Sequence, residues 1–125
     1  MYLLDTHALV WAITQSDLLP NRVRQILETE EVKASVVAYW ELMLKKGRPN
    51  ALVNAPAAWW DRYITRAAIE VLPIRVAHVN RLDGLEDWHR DPFDRMLVAQ
   101  ALAEGCTLVS GDRVLARYGV PVLWE

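Results

Sequence analysis

Apolar positions along the chain form short runs separated by longer stretches with helical spacing. Tyr2–Leu4 is a short apolar run that stops at Asp5. From there to about Thr14, Leu9, Val10 and Ile13 fall on related faces, which predicts a helix. Pro20 suits the first turn of a second helix, which ends in the acidic stretch 28–31. Val32–Ser35 reads as a strand, and 36–46 as a helix stopped by Gly47 and Pro49. Residues 48–55 show neither period and read as loop or a short turn of helix. Pro56 opens a helix reaching about Ile69, followed by a strand over 71–74 and a short helix over Val76–Leu82. The polar stretch 83–90 reads as loop. Asp91-Pro92 starts a helix to Glu104, ended by Gly105. A strand at Thr107–Val109, a short helix over 112–117 and a last strand over 121–124 complete the chain.

Strands alternating with helices predict an α/β domain with a mainly parallel sheet. Ligand crevices in such sheets open outside the carboxyl ends of the strands. The first polar residues after each strand therefore carry the interest, and several are acidic. Asp5 follows the first strand directly, Asp112 follows the fourth after Ser110 and Gly111, and Asp94 sits in the first turn of the helix that Pro92 opens. Each acid also has an ordinary structural reading. Asp5 and Asp91 suit helix caps, and Asp94 suits the positive end of a helix dipole. Glu41 differs, because its neighbours one turn away are Val37, Ala38 and Leu44. A carboxylate on an apolar stripe needs a cation or another partner; the plain alternative is an i,i+4 pair with Lys45 on a solvated edge.

Four converging carboxylates repel one another unless protons, basic partners or a metal offset them. Oxygen ligation suits Mg²⁺ or Mn²⁺ better than Zn²⁺. His7, His78 and His89 show no paired spacing and read as structural residues or phosphate neighbours. Two other acidic-site classes fit poorly. A haloacid-type phosphatase wants a second Asp two residues after Asp5, where His7 stands. A phospho-receiver wants its acceptor after the third strand, where Ile74 is followed by Arg75.

Composition narrows the setting. The 125 residues, 53% of them apolar, support one folded domain over 1–125. The net charge of −2 gives no support to a nucleic-acid binder by itself, but total charge hides a local site. Of the 14 basic residues 11 are Arg, the side chain best suited to bidentate phosphate contact, Arg90 and Arg95 among them. Cys106 is the only cysteine, in an apolar run, so it reads as a buried small hydrophobe. No stretch resembles a signal peptide or reaches the length of a membrane span, so a cytoplasmic location is expected.

At the acidic residues the chain resembles the PIN-domain ribonucleases, and in particular the VapC-type toxins of bacterial toxin–antitoxin pairs. The resembling stretches are Leu3-Leu4-Asp5-Thr6-His7-Ala8-Leu9-Val10-Trp11, Ser35 to Trp40-Glu41, His89-Arg90-Asp91-Pro92-Phe93-Asp94-Arg95, Leu108-Val109-Ser110-Gly111-Asp112-Arg113 and Tyr118-Gly119-Val120-Pro121-Val122-Leu123-Trp124. They follow the family's order over nearly the whole chain. A lone Asp after a strand is a weak sign; the ordered set is a strong one.

The resemblance implies a three-layer α/β/α fold and an endoribonuclease that hydrolyses RNA phosphodiesters with water activated by Mg²⁺ or Mn²⁺. Asp5 and Asp94 correspond to the most direct metal ligands, Asp112 completes the metal site, and Glu41 corresponds to an acid that binds the metal through water or orients the nucleophile. Thr6 and Ser110 would support the site with their hydroxyls, while Arg90 and Arg95 would hold RNA phosphates. One departure is visible: many relatives carry Thr-Ala-Asp where this chain has Ser110-Gly111-Asp112. Serine keeps the hydroxyl, and Gly111 is expected to loosen the turn.

A cognate antitoxin is the implied partner, besides RNA, within a homodimer or a toxin–antitoxin hetero-oligomer. Trp59 and Tyr63 share one face of their predicted helix and Trp60 points elsewhere. They pack in the core, form an antitoxin or dimer face, or, as the least favoured reading, stack on bases. The alternative function is a PIN-fold RNA- or protein-binding module with little catalysis.

Overall fold

Three apolar residues, Tyr2–Leu4, form the central strand β1 in a computed structural model that describes residues 1–125. On one side of β1 lies β2 (Val32–Ser35), and beyond it β3 (Val71–Leu72). On the other side lie β4 (Thr107–Val109) and β5 (Val122–Leu123). The order is β3-β2-β1-β4-β5 and every pairing is parallel. Leu3 is in register with Lys33 and Leu108, and Leu4 with Ala34 and Val109.

Alternation along these strands sorts their side chains into two apolar layers. Leu3 and Leu108 enter one, with Leu97, Val98 and Leu115. Leu4 and Val109 enter the other, with Leu9, Val23 and Trp60. Strands buried on both faces need no polar alternation, which is why they read as plain apolar runs. The second layer is built by α1 (Thr6–Thr14), α2 (Asn21–Thr29) and α4 (Pro56–Trp60), the first mainly by α6 (Pro92–Glu104). Helix α3 (Val36–Leu44) reaches both, through Ala38 and Leu42 on one side and Val37 on the other. Helix α5 (Val76–Leu82) packs against α6. The expected three-layer α/β/α arrangement is the one observed. No helix is long and apolar enough to cross a membrane.

Local chemistry sets the element ends. Ser35 caps α3 by accepting from the Val37 N–H at 3.0 Å. Asp91 caps α6 by accepting from Phe93 N–H at 2.8 Å, with Pro92 in the first turn. Gly105, at φ 69°, closes α6 in the left-handed conformation that lacks a Cβ penalty. β3 stops at Leu72, short of the expected Ile74, because Pro73 has no N–H for the ladder.

The largest departure lies in 56–69. The continuous helix expected there is α4 followed by a π turn at Asp61–Thr65, in which Arg66 N–H reaches Asp61 O and Ile69 N–H reaches Ile64 O. Apolar spacing does not distinguish these i→i+5 bonds from i→i+4 bonds. Trp59, Trp60 and Ile64 are all buried here. Trp60 stacks on Tyr39 at 4.7 Å between centroids, and Trp59 lies 5.8 Å from Tyr63. Of the two readings for these aromatics, the tryptophans take the core one.

The chain runs outward from β1 to β3, then returns to the other side of β1 for β4 and β5. It therefore changes direction between β1 and β4. Loops leaving the carboxyl ends of two such neighbours diverge to opposite faces and leave a crevice.

Candidate active site

Asp5 and Asp112 stand on the two sides of that crevice. Asp5 leaves β1 in extended conformation and caps α1, its Oδ1 accepting from Ala8 N–H at 2.8 Å. Asp112 follows β4 and caps the 3-10 turn Arg113–Tyr118, its Oδ1 accepting from Val114 N–H at 3.0 Å. Both acids thus have the structural role open to them; Asp5 keeps a second oxygen for other work, while the second oxygen of Asp112 meets His89. They line one cleft.

Asp94 comes from the first turn of α6. Burial pushes its carboxyl up to about 7, and repulsion from Asp91 adds to this, against the pull of His89; Asp5 and Glu41 raise it further. Burial also holds Asp5 above the ordinary carboxylate range, opposed first by a hydrogen bond from the Ser110 hydroxyl. Glu41 raises Asp5 in turn. Three of the four acids anticipated from the sequence, Asp5, Glu41 and Asp94, therefore feel one another's fields.

Their neutralisation is local and uneven. Glu41 is buried, as its apolar stripe predicts, and it is also paired as the plainer reading predicts. Lys45 Nζ lies 2.7 Å from its Oε2, and Thr6 Oγ1 donates to its Oε1 at 2.6 Å. The bond to Glu41 holds the Lys45 ammonium above its ordinary value, with smaller contributions from Asp91 and Asp94. Thr6 is committed to orienting Glu41. Ser110 accepts from Asp112 N–H at 3.1 Å within the turn after β4, and its bond to Asp5 reaches across the crevice.

His89, whose spacing predicts a structural or phosphate-neighbour role, lies among the acids. Its Nε2 lies 2.8 Å from Asp112 Oδ2 and 3.3 Å from Asp94 Oδ2. Its Nδ1 accepts from the Asp91 backbone N–H at 3.1 Å. An amide N–H only donates, so Nδ1 carries no proton and Nε2–H faces the two carboxylates. His89, Asp94 and Asp112 offer ligand atoms within 4.8 Å of one another. With its lone pair spent on Asp91, the imidazole is a clasp between two acids, and the oxygens are the free donors. Residue spacing carries no signal for this, because the loop from His89 to Asp91 curls back on itself.

Arg95 also departs from expectation. Its Nη1 donates to Glu86 O at 2.8 Å, His89 O at 3.2 Å and the Tyr118 hydroxyl at 3.3 Å, and its Nη2 to Leu85 O at 3.3 Å. A guanidinium engaged in this way holds the 85–89 loop rather than presenting itself to phosphate. Arg90 is exposed beside the acids. Gly111 has a further role that its place in the turn did not announce. Its φ is not left-handed; instead a Cβ there would lie 3.1 Å from Cε2 of Trp124. Glycine at this position makes room for an indole.

Every potential ligand oxygen belongs to a carboxylate, two of the acids are held above their ordinary range, and Lys45 is already taken by Glu41. This donor set fits a hard divalent cation. A parallel α/β sheet with carboxylates gathered at its switch point is the class that fold and site define. The chain matches the PIN domain family over residues 2–121, and it belongs to that family. No curated protein matches it at the level of whole-chain sequence. Among solved structures it is similar to VapBC2 from Rickettsia felis bound to a promoter DNA fragment, at TM-score 0.73 and 18% identity, covering 99% of this chain and 98% of that one. It is similar to DNA-bound VapBC from Salmonella typhimurium at TM-score 0.73 and 19% identity, covering 98% and 96%. A toxin–antitoxin complex from Klebsiella pneumoniae aligns at TM-score 0.63 and 18% identity, again covering 98% and 96%. At these identities the likeness is one of fold.

Proposed function

We propose that this chain, as a single PIN domain over 1–125, is a metal-dependent endoribonuclease and the toxin of a toxin–antitoxin pair. The observation that carries this reading is the convergence of Asp5, Glu41, Asp94 and Asp112 at the switch point, with Asp94 held near 7. Carboxylates under that strain favour a bound divalent cation, and Mg²⁺ or Mn²⁺ suits their oxygens. Asp5, Asp94 and Asp112 would hold it. Once bound, the cation supplies charge to offset the acids and the phosphate and to activate water for in-line attack.

The chain's own residues do the rest. Thr6 and Lys45 fix both oxygens of Glu41, leaving its carboxylate set to orient a water nearby. His89 keeps Asp112 and Asp94 from swinging apart, and Ser110 anchors the turn that carries Asp112. Arg90 is the exposed cation placed to meet a phosphate. The partner reading rests on the toxin–antitoxin and VapBC complexes that share this fold. A cognate antitoxin, a homodimer or hetero-oligomer and a cytoplasmic setting go with it.

The test is cleavage of RNA by purified protein freed of any antitoxin. Cleavage with Mn²⁺ that EDTA stops, and that Asp5→Asn loses while keeping its circular dichroism spectrum, supports the reading. Full cleavage by Asp5→Asn would sink the mechanism. Binding of RNA with no turnover by the wild type would leave a PIN-fold binding module instead.

A further inference from the structure

Beside the acids opens a cleft of about 320 Å³ lined by Asp5, His7, Trp11, Gly111, Asp112 and Trp124. One side is carboxylate and the other is aromatic. His7 and Trp11 stand one turn apart on α1, their rings edge to face at 5.7 Å. Trp124 follows β5 and meets Trp11 at 6.1 Å, tilted by 47°. The two indoles are half-buried, and both pack against the hydrophobic layer beneath them, so the wall is fixed in place. Gly111 lets the Trp124 indole come this close to the Asp112 turn.

We infer that this aromatic wall seats one unpaired nucleobase of the RNA strand whose phosphate lies at the carboxylates, an inference that rests on the ribonuclease reading above. The cleft is continuous with the acids, so a base inside it belongs to a nucleotide next to the phosphate under attack. A base held in a duplex is stacked and paired on both sides and does not enter. An aromatic surface accepts any base by its π face, and proteins that track single strands pair such surfaces with cationic grooves. Trp124 also borders a second cleft, of about 370 Å³, in which Arg113 offers a guanidinium and Glu125 a carboxylate. The backbone would pass from the acids, with a base on His7, Trp11 and Trp124, toward that guanidinium.

A scan of abasic substitutions along a cleaved single-stranded RNA tests this on the unaltered protein. Removing one base adjacent to the scissile phosphate should slow cleavage by about tenfold, the scale of one lost stacking contact. Removal elsewhere should change little. Trp124→Leu should slow the parent RNA by a similar factor and leave the abasic RNA unchanged, with the loss mainly in KM. Because Trp124→Leu removes packing, Gly111→Ala provides a second variant, in which the new Cβ displaces the indole without deleting it. Binding is read separately, by quenching of tryptophan fluorescence in Asp94→Asn, which keeps the cleft and lacks one acid. Quenching should be stronger with single-stranded RNA than with duplex or with the abasic strand. A flat abasic scan overturns the inference and leaves the nuclease reading intact. Absence of any cleavage overturns the nuclease reading, and the fluorescence comparison then decides the seat alone: equal quenching by all three RNAs overturns it. Quenching by an arginine-rich peptide but by none of the RNAs also overturns it and assigns the cleft to a protein partner.

Discussion

His89 Nε2–H points at Asp112 Oδ2 from 2.8 Å, while the other ring nitrogen accepts the backbone N–H of Asp91. One imidazole thereby joins the turn after β4 to the loop that starts α6. It stabilises two acids that repel each other, using Asp112 Oδ2 and Asp94 Oδ2 and leaving Asp94 Oδ1 open. His89→Ala should lower the stability of metal-free protein by about 1.5–3 kcal/mol, the cost of a hydrogen bond to a charged group. Added Mn²⁺ should then raise the melting temperature of the variant by more than that of the wild type. Thermal melts with EDTA and with Mn²⁺ check this, and equal shifts would contradict the clasp.

Asp94 leads to a pH dependence. Its carboxyl is near 7 in the fold against an ordinary value of 3.8, so the folded chain holds a proton that the unfolded chain gives up. This contribution to stability is present in full below about 3.8 and is lost as pH rises toward 7. Metal-free protein should therefore melt at lower temperature at pH 8 than at pH 5.5, with a smaller difference in Asp94→Asn. Mn²⁺ binding, which requires the carboxylate, should strengthen over the same interval in the wild type. Calorimetry at the two pH values follows both effects.

Glu41 depends on two partners of different kinds. Lys45→Met would leave a buried carboxylate without its cation, at a cost of about 2 kcal/mol after allowing for the quarter exposure of the lysine side chain. Thr6→Val should cost about 1 kcal/mol and loosen the orientation of Glu41. The discriminating readout is catalytic: Thr6→Val should lower kcat with little change in KM. Urea titrations together with steady-state kinetics separate the two roles.

Arg90 and Arg95 should part company. Arg90→Ala should weaken RNA binding and reduce the salt dependence of binding by about 0.7 in log–log slope, as expected for one lost contact to a single strand. Arg95→Ala should leave that slope unchanged, and should instead speed amide exchange across 85–91, where its four hydrogen bonds are lost. A reduced salt slope in Arg95→Ala would return it to the phosphate role.

Much of this protein was legible in one dimension. The five strands and most of the helices stand where apolar period and capping residues predict them, because burial on both sheet faces and satisfaction of helix ends are constraints on local sequence. Asp5, Asp94 and Asp112 were marked by lying at element ends, and Glu41 by standing on an apolar stripe. The π turn after Trp60 was not legible, since it alters hydrogen-bond register without altering which residues are apolar. Other features needed the third dimension outright. His89 joins the acids only because its loop folds back over α6. Arg95 turns inward because loop carbonyls surround it. Gly111 matters through Trp124, a residue distant in sequence that β5 brings to its side. Sequence alone determined the kinds of group this domain carries and the edges on which they sit, since those follow from local periodicity. Only tertiary structure decided which of them face one another, because that depends on parallel crossovers that bring distant turns to one switch point.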